Sequence, residues 1–138
     1  KGTNYDLTIL DIIEYLDGVK EKCSINPINE RYFVHAPCSA EKMSLDNRFH
    51  SLMNECVSKV VRDEEQKCCG AAGDKSLRYP GLSVYASNKL LLHDSFSDGV
   101  SSSITCELGM SEVTGKNFKN IISVFCEAAG ISKSIVEN

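Results

Sequence analysis

The N-terminal third of the chain changes from a helical apolar pattern to a strand-like one. Apolar residues at helical spacing predict a first helix, with Asp6 as its cap and Gly18 at its end. These apolar residues are Leu7, Leu10, Ile13 and Leu16. Residues 26–29 predict a turn around Pro27. The β-branched and aromatic residues at 31–35 predict a strand that ends just before Cys38.

A second apolar stripe predicts a long helix with Ser44 as its cap and Asp46 in its first turn. The stripe consists of Leu45, Phe49, Leu52, Met53, Cys56, Val57 and Val60. Further along, we expect strands at 65–69 and 99–105 and helices at 82–92 and 117–129. Because helices and strands alternate, the pattern predicts a single α/β domain. Its small parallel sheet would have three or more strands covered by helices.

Composition and charge argue against two classes of function. The 138 residues carry a net charge of −4 and contain no cluster of lysine and arginine, so nothing indicates nucleic-acid binding. No apolar run approaches the ~20 residues that a transmembrane helix needs, and no signal-peptide pattern is present. We therefore expect a soluble chain without a transmembrane segment.

The seven cysteines are the most informative part of the composition. A secreted disulfide framework normally uses an even number, so an odd number favours reduced thiols in a reducing compartment such as the cytoplasm. Cys68 and Cys69 are adjacent, and both could bind one tetrahedral ion only through a strained backbone ring. A multi-iron cluster removes this difficulty, because neighbouring thiolates can reach different irons.

Four of the cysteines are predicted to meet at one edge of the sheet. Cys38, the adjacent pair Cys68 and Cys69, and Cys106 each lie at or just after the C-terminal end of a predicted strand. Open α/β sheets bind their ligands at that edge. We interpret the four thiols as ligands of an iron–sulfur cluster, with buried free thiols lining a core as the alternative.

The other cysteines, the histidines and one carboxylate have simpler interpretations. Cys56 and Cys126 are expected in the core, whereas Cys23 lies in a polar loop. We expect His35 to hydrogen-bond to backbone at a strand end, with a role as imidazole ligand or proton donor as the alternative. We expect three further side chains to be solvated: His50, His93 and Glu107. No residue is predicted to be catalytic.

A glycine-rich turn follows the cysteine pair. Gly70 and Gly73 allow a tight turn, and the segment lacks the Gly-Lys-Ser/Thr ending of a phosphate loop. Its predicted role is to let backbone N–H groups approach sulfur. Such hydrogen bonds stabilise negative charge on a cluster and raise its reduction potential. We therefore expect Gly70 and Gly73 to contribute to cofactor binding.

The order and spacing of these cysteines resemble the cysteine-rich CCG domain family. That family occurs in heterodisulfide reductase B subunits and in iron–sulfur subunits of glycolate, glycerol-3-phosphate and lactate dehydrogenases. Cys38 and Cys68 are 30 positions apart, and Cys69 and Cys106 are 37 apart. Two positions depart from the family pattern: Ser39 stands where many members have His, and Gly109 stands where the closing Cys-x-x-Cys has its last thiol. Four cysteines still suffice for one 4Fe–4S cluster.

Three segments most resemble the C-terminal iron–sulfur region of fused FAD-linked D-lactate dehydrogenases. They are Cys-Cys-Gly-Ala-Ala-Gly-Asp at 68–74, Tyr79-Pro80, and Ser-Ser-Ile-Thr-Cys-Glu-Leu-Gly at 102–109. The resemblance implies that residues 1–138 are a piece of a larger flavoenzyme, inactive alone, whose FAD is bound by another domain. It implies that the cluster relays electrons from reduced flavin to an acceptor such as quinone or cytochrome. The expected location is cytoplasmic, or peripheral to the inner membrane through the parent enzyme.

Two other functions stay open at this level. A thiol redox domain could cycle Cys68 and Cys69, or a nearby pair, between dithiol and disulfide. A structural or docking module could instead complete a larger enzyme without a cluster. A zinc ribbon or finger is disfavoured for such a module, because the chain has no C-x₂₋₄-C pair.

Overall fold

The computed structural model describes residues 7–62, 68–73, 75–88 and 95–131. The helices in these ranges are α1 (Ile12–Val19), a 3₁₀ turn (Lys20–Lys22), α2 (Cys38–Lys42), α3 (Asp46–Cys56), α4 (Lys75–Arg78), α5 (Gly81–Ser87), α6 (Ile104–Thr114) and α7 (Ile121–Ala128). The strands are β1 (Ile28–His35), β2 (Val57–Val61), β3 (Asp98–Ser101) and β4 (Phe118–Asn120). Within the described ranges, no helix combines the length and the apolar character that a bilayer crossing requires.

The four strands form one parallel sheet in the order β2-β1-β3-β4. Tyr32 of β1 is in register with Val60 of β2 on one side and with Asp98 of β3 on the other. The predicted α/β class, with a parallel sheet of three or more strands and covering helices, is confirmed. From β1 the chain continues to β2 on one side of β1, and the next strand, β3, then pairs on the other side of β1. The carboxyl ends of β1 and β3 therefore flank the point where the strand order reverses.

Each face of the sheet carries its own apolar cluster, because alternate residues of a strand point to opposite faces. Tyr32 and Val34 belong to the cluster that includes residues of α1, α3 and α7. Phe33 belongs to the second cluster, with Phe96, Phe118, Met110 and two of the cysteines, Cys69 and Cys106. His35, two residues after Phe33, therefore falls on the face that carries these two cysteines.

Gly99 is required for the close packing of that second face. An added Cβ at Gly99 would lie 2.3 Å from the ring of Phe118. The Phe118 ring also lies edge-on to Phe33 and to Phe96, with ring centroids 6.3 Å and 6.2 Å apart. Strand β3 can thus lie directly beneath an aromatic cluster only because this position has no side chain.

Helix α1 begins later than the sequence pattern predicts. Its cap is Asp11, whose side chain accepts a hydrogen bond from Ile13 N at 2.9 Å, while Glu14 Oε2 accepts one from Asp11 N at 3.0 Å. This capping box determines where the helix starts. The predicted cap Asp6 lies outside the described residues. The helix ends at Val19, one residue after the predicted end at Gly18.

The long second helix of the prediction is in fact a helix followed directly by a strand. Helix α3 ends at Cys56, and Val57 begins β2, which pairs with β1. The apolar stripe continues across this boundary because both elements bury residues against the same core, so helical spacing alone could not reveal it. Ser44 is not the cap: it has φ +57°, and Leu45 occupies the N-cap position without a side-chain cap.

Other predicted boundaries also shift. The turn predicted at 26–29 is shorter, because β1 already begins at Ile28. The strand predicted at 99–105 ends at Ser101, and 117–129 divides into β4 and α7. The predicted strand at 65–69 lies mostly outside the described residues, and its last two positions, Cys68 and Cys69, are not in a strand. Of the helix predicted at 82–92, α5 covers the first part, and residues 89–92 lie outside the described ranges.

Candidate metal centre

A cleft of ≈ 240 Å³ lies at the C-terminal edge of the sheet and is lined by all four of the predicted cysteines. Its walls come from three segments, at 37–39, 68–73 and 103–106. The first follows β1 and the last follows β3, so the cleft lies at the reversal of strand order, where α/β sheets bind ligands. The fold thus brings Cys38, Cys68, Cys69 and Cys106 to one place.

The structure corrects the local setting of two of these cysteines. Cys106 does not end a strand but lies in the first turn of α6, whose N-cap is Ser103. Cys38 is the first residue of α2, three residues beyond His35, the last residue of β1. Both thiols are still delivered by the segment that directly follows a central strand. The prediction that both thiols lie at the C-terminal edge of the sheet was therefore right, but the prediction that Cys106 ends a strand was wrong.

Cys69 and Cys106 form the inner part of the cleft. They are 4% and 6% exposed, and a hydrogen bond joins their Sγ atoms, which lie 2.8 Å apart. A disulfide would place the two sulfurs about 2.05 Å apart, so the pair is not bonded covalently. The hydrogen bond to Cys106, and then contacts with His35 and Ala71 N, lower the pKa of Cys69, whereas the same hydrogen bond raises the pKa of Cys106. This hydrogen bond therefore favours the thiolate at Cys69 and the neutral thiol at Cys106.

His35 lies against this pair. It is 2% exposed, and neither ring nitrogen has a hydrogen-bond partner among the described residues. Its ligand nitrogen and the sulfurs of Cys69 and Cys106 all lie within 4.8 Å of one another. The expectation that the ring hydrogen-bonds to backbone is therefore wrong. The main-chain carbonyl of His35 accepts a hydrogen bond from Ser101 Oγ at 3.1 Å.

Cys38 and Cys68 form the outer part of the cleft, and both are exposed. Burial is the largest cause that raises the pKa of Cys38, followed by the neighbouring Cys68 and then Cys69. The charge of Cys38 in turn contributes to the raised pKa of Cys106. The outer and inner thiols are therefore close enough to interact electrostatically. None of the seven cysteines, all of which lie in the described ranges, forms a disulfide.

The turn after the cysteine pair brings backbone N–H groups to sulfur. Gly70 N donates a hydrogen bond to Cys68 Sγ at 3.3 Å. Gly70 has φ +72°, and an added Cβ would lie 2.4 Å from the carbonyl oxygen of Leu82 and 2.7 Å from Cβ of Ala86. Both the backbone conformation and the close contact with α5 therefore require glycine. Gly73 also has φ +72° and lines the cleft, but nothing lies within 4 Å of its Cβ position.

Gly109, where the family pattern has a further thiol, faces a neighbouring helix. It is buried in α6, and an added Cβ would lie 3.1 Å from Ser83 Oγ of α5. The cavity that Gly109 lines is a different one, bounded also by Leu77, Leu108 and Glu112. Because Gly109 has no side chain, α5 and α6 can pack closely beside the glycine turn.

Two side chains that were expected to be solvated are not. Glu107 is 8% exposed, and its Oε1 accepts a hydrogen bond from Asn120 Nδ2 at 2.8 Å. Burial raises the pKa of Glu107. His50 is half-buried, and burial is the main reason that its pKa falls to about 4. His93 lies outside the described residues.

The three remaining cysteines lie away from the cleft. Cys56 is fully buried in the core, as predicted, and burial raises its pKa to about 11. Cys126 is only half-buried, so its predicted place in the core is partly wrong. Cys23 follows the 3₁₀ turn, and its Sγ donates to the carbonyl of Val19 at 3.7 Å.

The donor set as a whole fits a metal. Thiolates and imidazole are ligands for zinc, copper and iron, and here they occur together at low exposure. The sequence signal for the position of His35 is its place on the same strand face as Phe33, just before Cys38.

Comparisons of this chain with protein-family models and with curated proteins find no match.

Proposed function

We propose that the cysteine-lined cleft binds an iron–sulfur cluster, most simply a 4Fe–4S cluster, and that the protein is an electron-transfer domain. The observation that carries this proposal is the convergence of Cys38, Cys68, Cys69 and Cys106 on one cleft. Four thiolates are the usual ligand set of such a cluster. When bound, the cluster would accept and release single electrons.

The arrangement of the donors favours a cluster over a single ion. Four thiols line this cleft, which matches the one protein ligand that each iron of a 4Fe–4S cluster takes. The adjacent residues Cys68 and Cys69 also differ in depth, since Cys68 is exposed and Cys69 is buried. Neighbouring thiolates at different depths suit different metal atoms of one cluster better than one shared ion.

The surroundings of the donors suit electron transfer. Cys69 and Cys106 lie in a low-polarity interior beside Phe33, Met110 and Phe118, which shields the inner part of the site from water. Gly70 N–H donates to the sulfur of Cys68, which would stabilise added negative charge. Cys38 and Cys68 are exposed at the cleft mouth, so electrons can enter and leave there without a long path through the protein.

The resemblance to fused FAD-linked D-lactate dehydrogenases suggests the partners. In this proposal the electron donor is the reduced flavin of an FAD-binding domain of the same parent polypeptide or complex. The acceptor is a quinone or a cytochrome. The D-2-hydroxy acid would be oxidised at the flavin, so the described cleft has no catalytic role in that step.

Iron and sulfide analysis tests the proposal. The purified chain is reconstituted anaerobically with iron and sulfide and freed of unbound metal. We expect roughly four irons and four sulfides per chain, with a broad visible absorption that bleaches on reduction. A colourless protein without iron after this treatment would contradict the proposal.

One observation favours a second function, thiol–disulfide exchange. The Sγ atoms of Cys69 and Cys106 are 2.8 Å apart, and the lowered pKa of Cys69 favours its nucleophilic thiolate. The Cys69 thiolate would attack a substrate disulfide, which releases one substrate thiol and forms a mixed disulfide with Cys69. The Cys106 thiolate, after loss of its proton, would then attack Cys69 Sγ of this mixed disulfide, which forms the Cys69–Cys106 disulfide and releases the second substrate thiol. Thiol titration distinguishes the two functions. Exchange predicts the loss of two thiols on oxidation of a protein that binds no metal.

A further inference from the structure

We propose that the ring N–H of His35 donates a hydrogen bond to the sulfur of Cys69 and thereby raises the reduction potential of the bound cluster. This inference rests on the proposed function, because it concerns the same site. His35 is a positioning residue in this account, since it acts on the cluster only through the sulfur of Cys69.

The number of ligands places His35 behind the sulfurs and not on a metal atom. Each iron of a 4Fe–4S cluster takes one protein ligand, and the four thiols that line the cleft supply all four. His35 is not among the described residues of that lining, yet its ring nitrogen and the sulfurs of Cys69 and Cys106 lie within 4.8 Å of one another. The ring therefore approaches the two inner sulfurs from the protein interior and not from the cleft.

The ring proton of His35 lacks an acceptor. A neutral imidazole carries one N–H donor, but His35 is 2% exposed and neither ring nitrogen has a hydrogen-bond partner among the described residues. A buried donor without an acceptor is unfavourable, because its desolvation is not compensated. A thiolate sulfur beside the ring would supply the missing acceptor.

Cys69 is the better acceptor of the two inner cysteines. The hydrogen bond from Cys106 lowers the pKa of Cys69 most, and contact with the His35 ring lowers it further. A thiol binds iron as the thiolate, so Cys106 gives up its S–H proton when the cluster binds, and its hydrogen bond to Cys69 is lost. The ring N–H of His35 can then replace this lost donor at the sulfur of Cys69.

The strand fixes the position of the ring. His35 is the last residue of β1, in register with Ser101 of β3, and its carbonyl accepts a hydrogen bond from Ser101 Oγ. Because strand residues alternate between faces, the ring lies on the same side of the sheet as Phe33 and the two inner cysteines. A donor held by a central strand stays in place when the cluster changes its charge.

A hydrogen bond to a ligand sulfur favours the reduced state. Reduction adds one negative charge to the cluster, and an N–H donor stabilises that charge through the sulfur. The effect is strengthened here by the low polarity around Cys69, which lies beside Phe33 and Met110. His35 would thus do at the inner sulfur what Gly70 N–H does at the outer sulfur of Cys68.

Redox titration of the reconstituted protein tests this role. We expect His35→Phe, which keeps a ring but removes the N–H, to retain its iron and sulfide and to be reduced about tenfold less favourably. For one electron this is a shift of about 59 mV to more negative potential. In His35→Gln, whose amide can still donate, the potential should lie between those of the wild-type protein and His35→Phe. His50→Gln is the matched control and should keep the wild-type potential, because the half-buried His50 does not belong to the donor group.

Pulsed electron paramagnetic resonance of the reduced wild-type protein, prepared with ¹⁵N-labelled histidine, tests the contact without a His35 variant. A nitrogen that is hydrogen-bonded to a ligand sulfur shows a small hyperfine coupling, whereas a nitrogen bonded to iron shows a large one. We expect a small histidine coupling that persists in His50→Gln.

Four results would overturn the inference and leave the electron-transfer function intact. They are a wild-type potential in His35→Phe, equal potentials in His35→Phe and His35→Gln, an equal shift in His50→Gln, and a histidine coupling that is absent or large. A wild-type protein that binds no iron or sulfide would reject the proposed function and this inference together.

Discussion

The Sγ atoms of Cys69 and Cys106 lie 2.8 Å apart in the interior, although the two residues are 37 positions apart in the sequence. Cys69 follows β2 in the chain and Cys106 lies in the first turn of α6, after β3, so their contact depends on how the parallel sheet brings these segments together. Burial disfavours the thiolate that the hydrogen bond favours at Cys69, so this pair is an unfavourable arrangement for stability alone. A bound metal would compensate that cost, which is why this pair is central to the proposed function.

Replacing one inner thiol should remove the metal. We expect Cys69→Ser and Cys106→Ser each to lose most of the iron bound after reconstitution, because each removes a buried ligand. The loss in affinity should exceed the ~10–100-fold that removal of an outer-shell partner typically causes. Iron analysis and the visible spectrum measure this.

Cys126→Ser is the control for both variants, since Cys126 is half-buried and lies outside the cleft. It should bind as much iron as the wild-type protein. If Cys69→Ser also kept its full iron content, the inner pair would not be part of the site.

Alkylation should report the two layers of the cleft. In the metal-free protein, Cys38 and Cys68 are exposed and should react with iodoacetamide faster than Cys56, which is buried and whose pKa burial raises to about 11. Reconstitution should protect Cys38 and Cys68. Mass spectrometry of digested samples measures the modification at each site, and unchanged reactivity of both residues would argue against their role as ligands.

Gly70 should be more sensitive to substitution than Gly73. Both residues have φ +72°, so alanine at either position costs about 1–2 kcal/mol in backbone strain. At Gly70 the new Cβ would also collide with Leu82 O and Ala86 Cβ, whereas at Gly73 it would contact nothing. We therefore expect Gly70→Ala to lower the free energy of unfolding by more than Gly73→Ala does. Equal losses in urea denaturation would show that the contact with α5 does not matter.

The half-buried His50 should make stability depend on pH. Burial lowers its pKa from 6.5 to about 4, so the folded state favours the neutral ring. The stability that comes from this preference is fully present above pH 6.5 and is lost as the pH falls towards 4. After allowance for partial exposure, the loss should be about 1–2 kcal/mol.

His50→Gln provides the comparison for that pH effect, because glutamine does not titrate. Its stability should decline less than that of the wild-type protein between pH 7 and pH 4, as measured by urea denaturation at each pH. Parallel curves for the two proteins would mean that His50 is equally solvated in the folded and unfolded states.

The sequence allowed the edge of the sheet to be predicted, but not the contacts made there. Cys38 and Cys106 both follow apolar strand-like segments, and parallel topology is enough to bring such positions together. Nothing in the sequence shows what a side chain contacts. We therefore expected the His35 ring to hydrogen-bond to backbone and Glu107 to be solvated, whereas both side chains are buried. Strand β2 was missed because its residues continue the apolar stripe of α3, and only pairing with β1 distinguishes the two elements.

X-ray absorption spectroscopy at the iron edge of the reconstituted protein tests the central claim most directly. The account predicts iron surrounded by sulfur, with neighbouring irons at short distance. Isolated iron atoms surrounded by oxygen and nitrogen would contradict it, because such a spectrum would mean that the thiols of Cys38, Cys68, Cys69 and Cys106 do not hold a cluster.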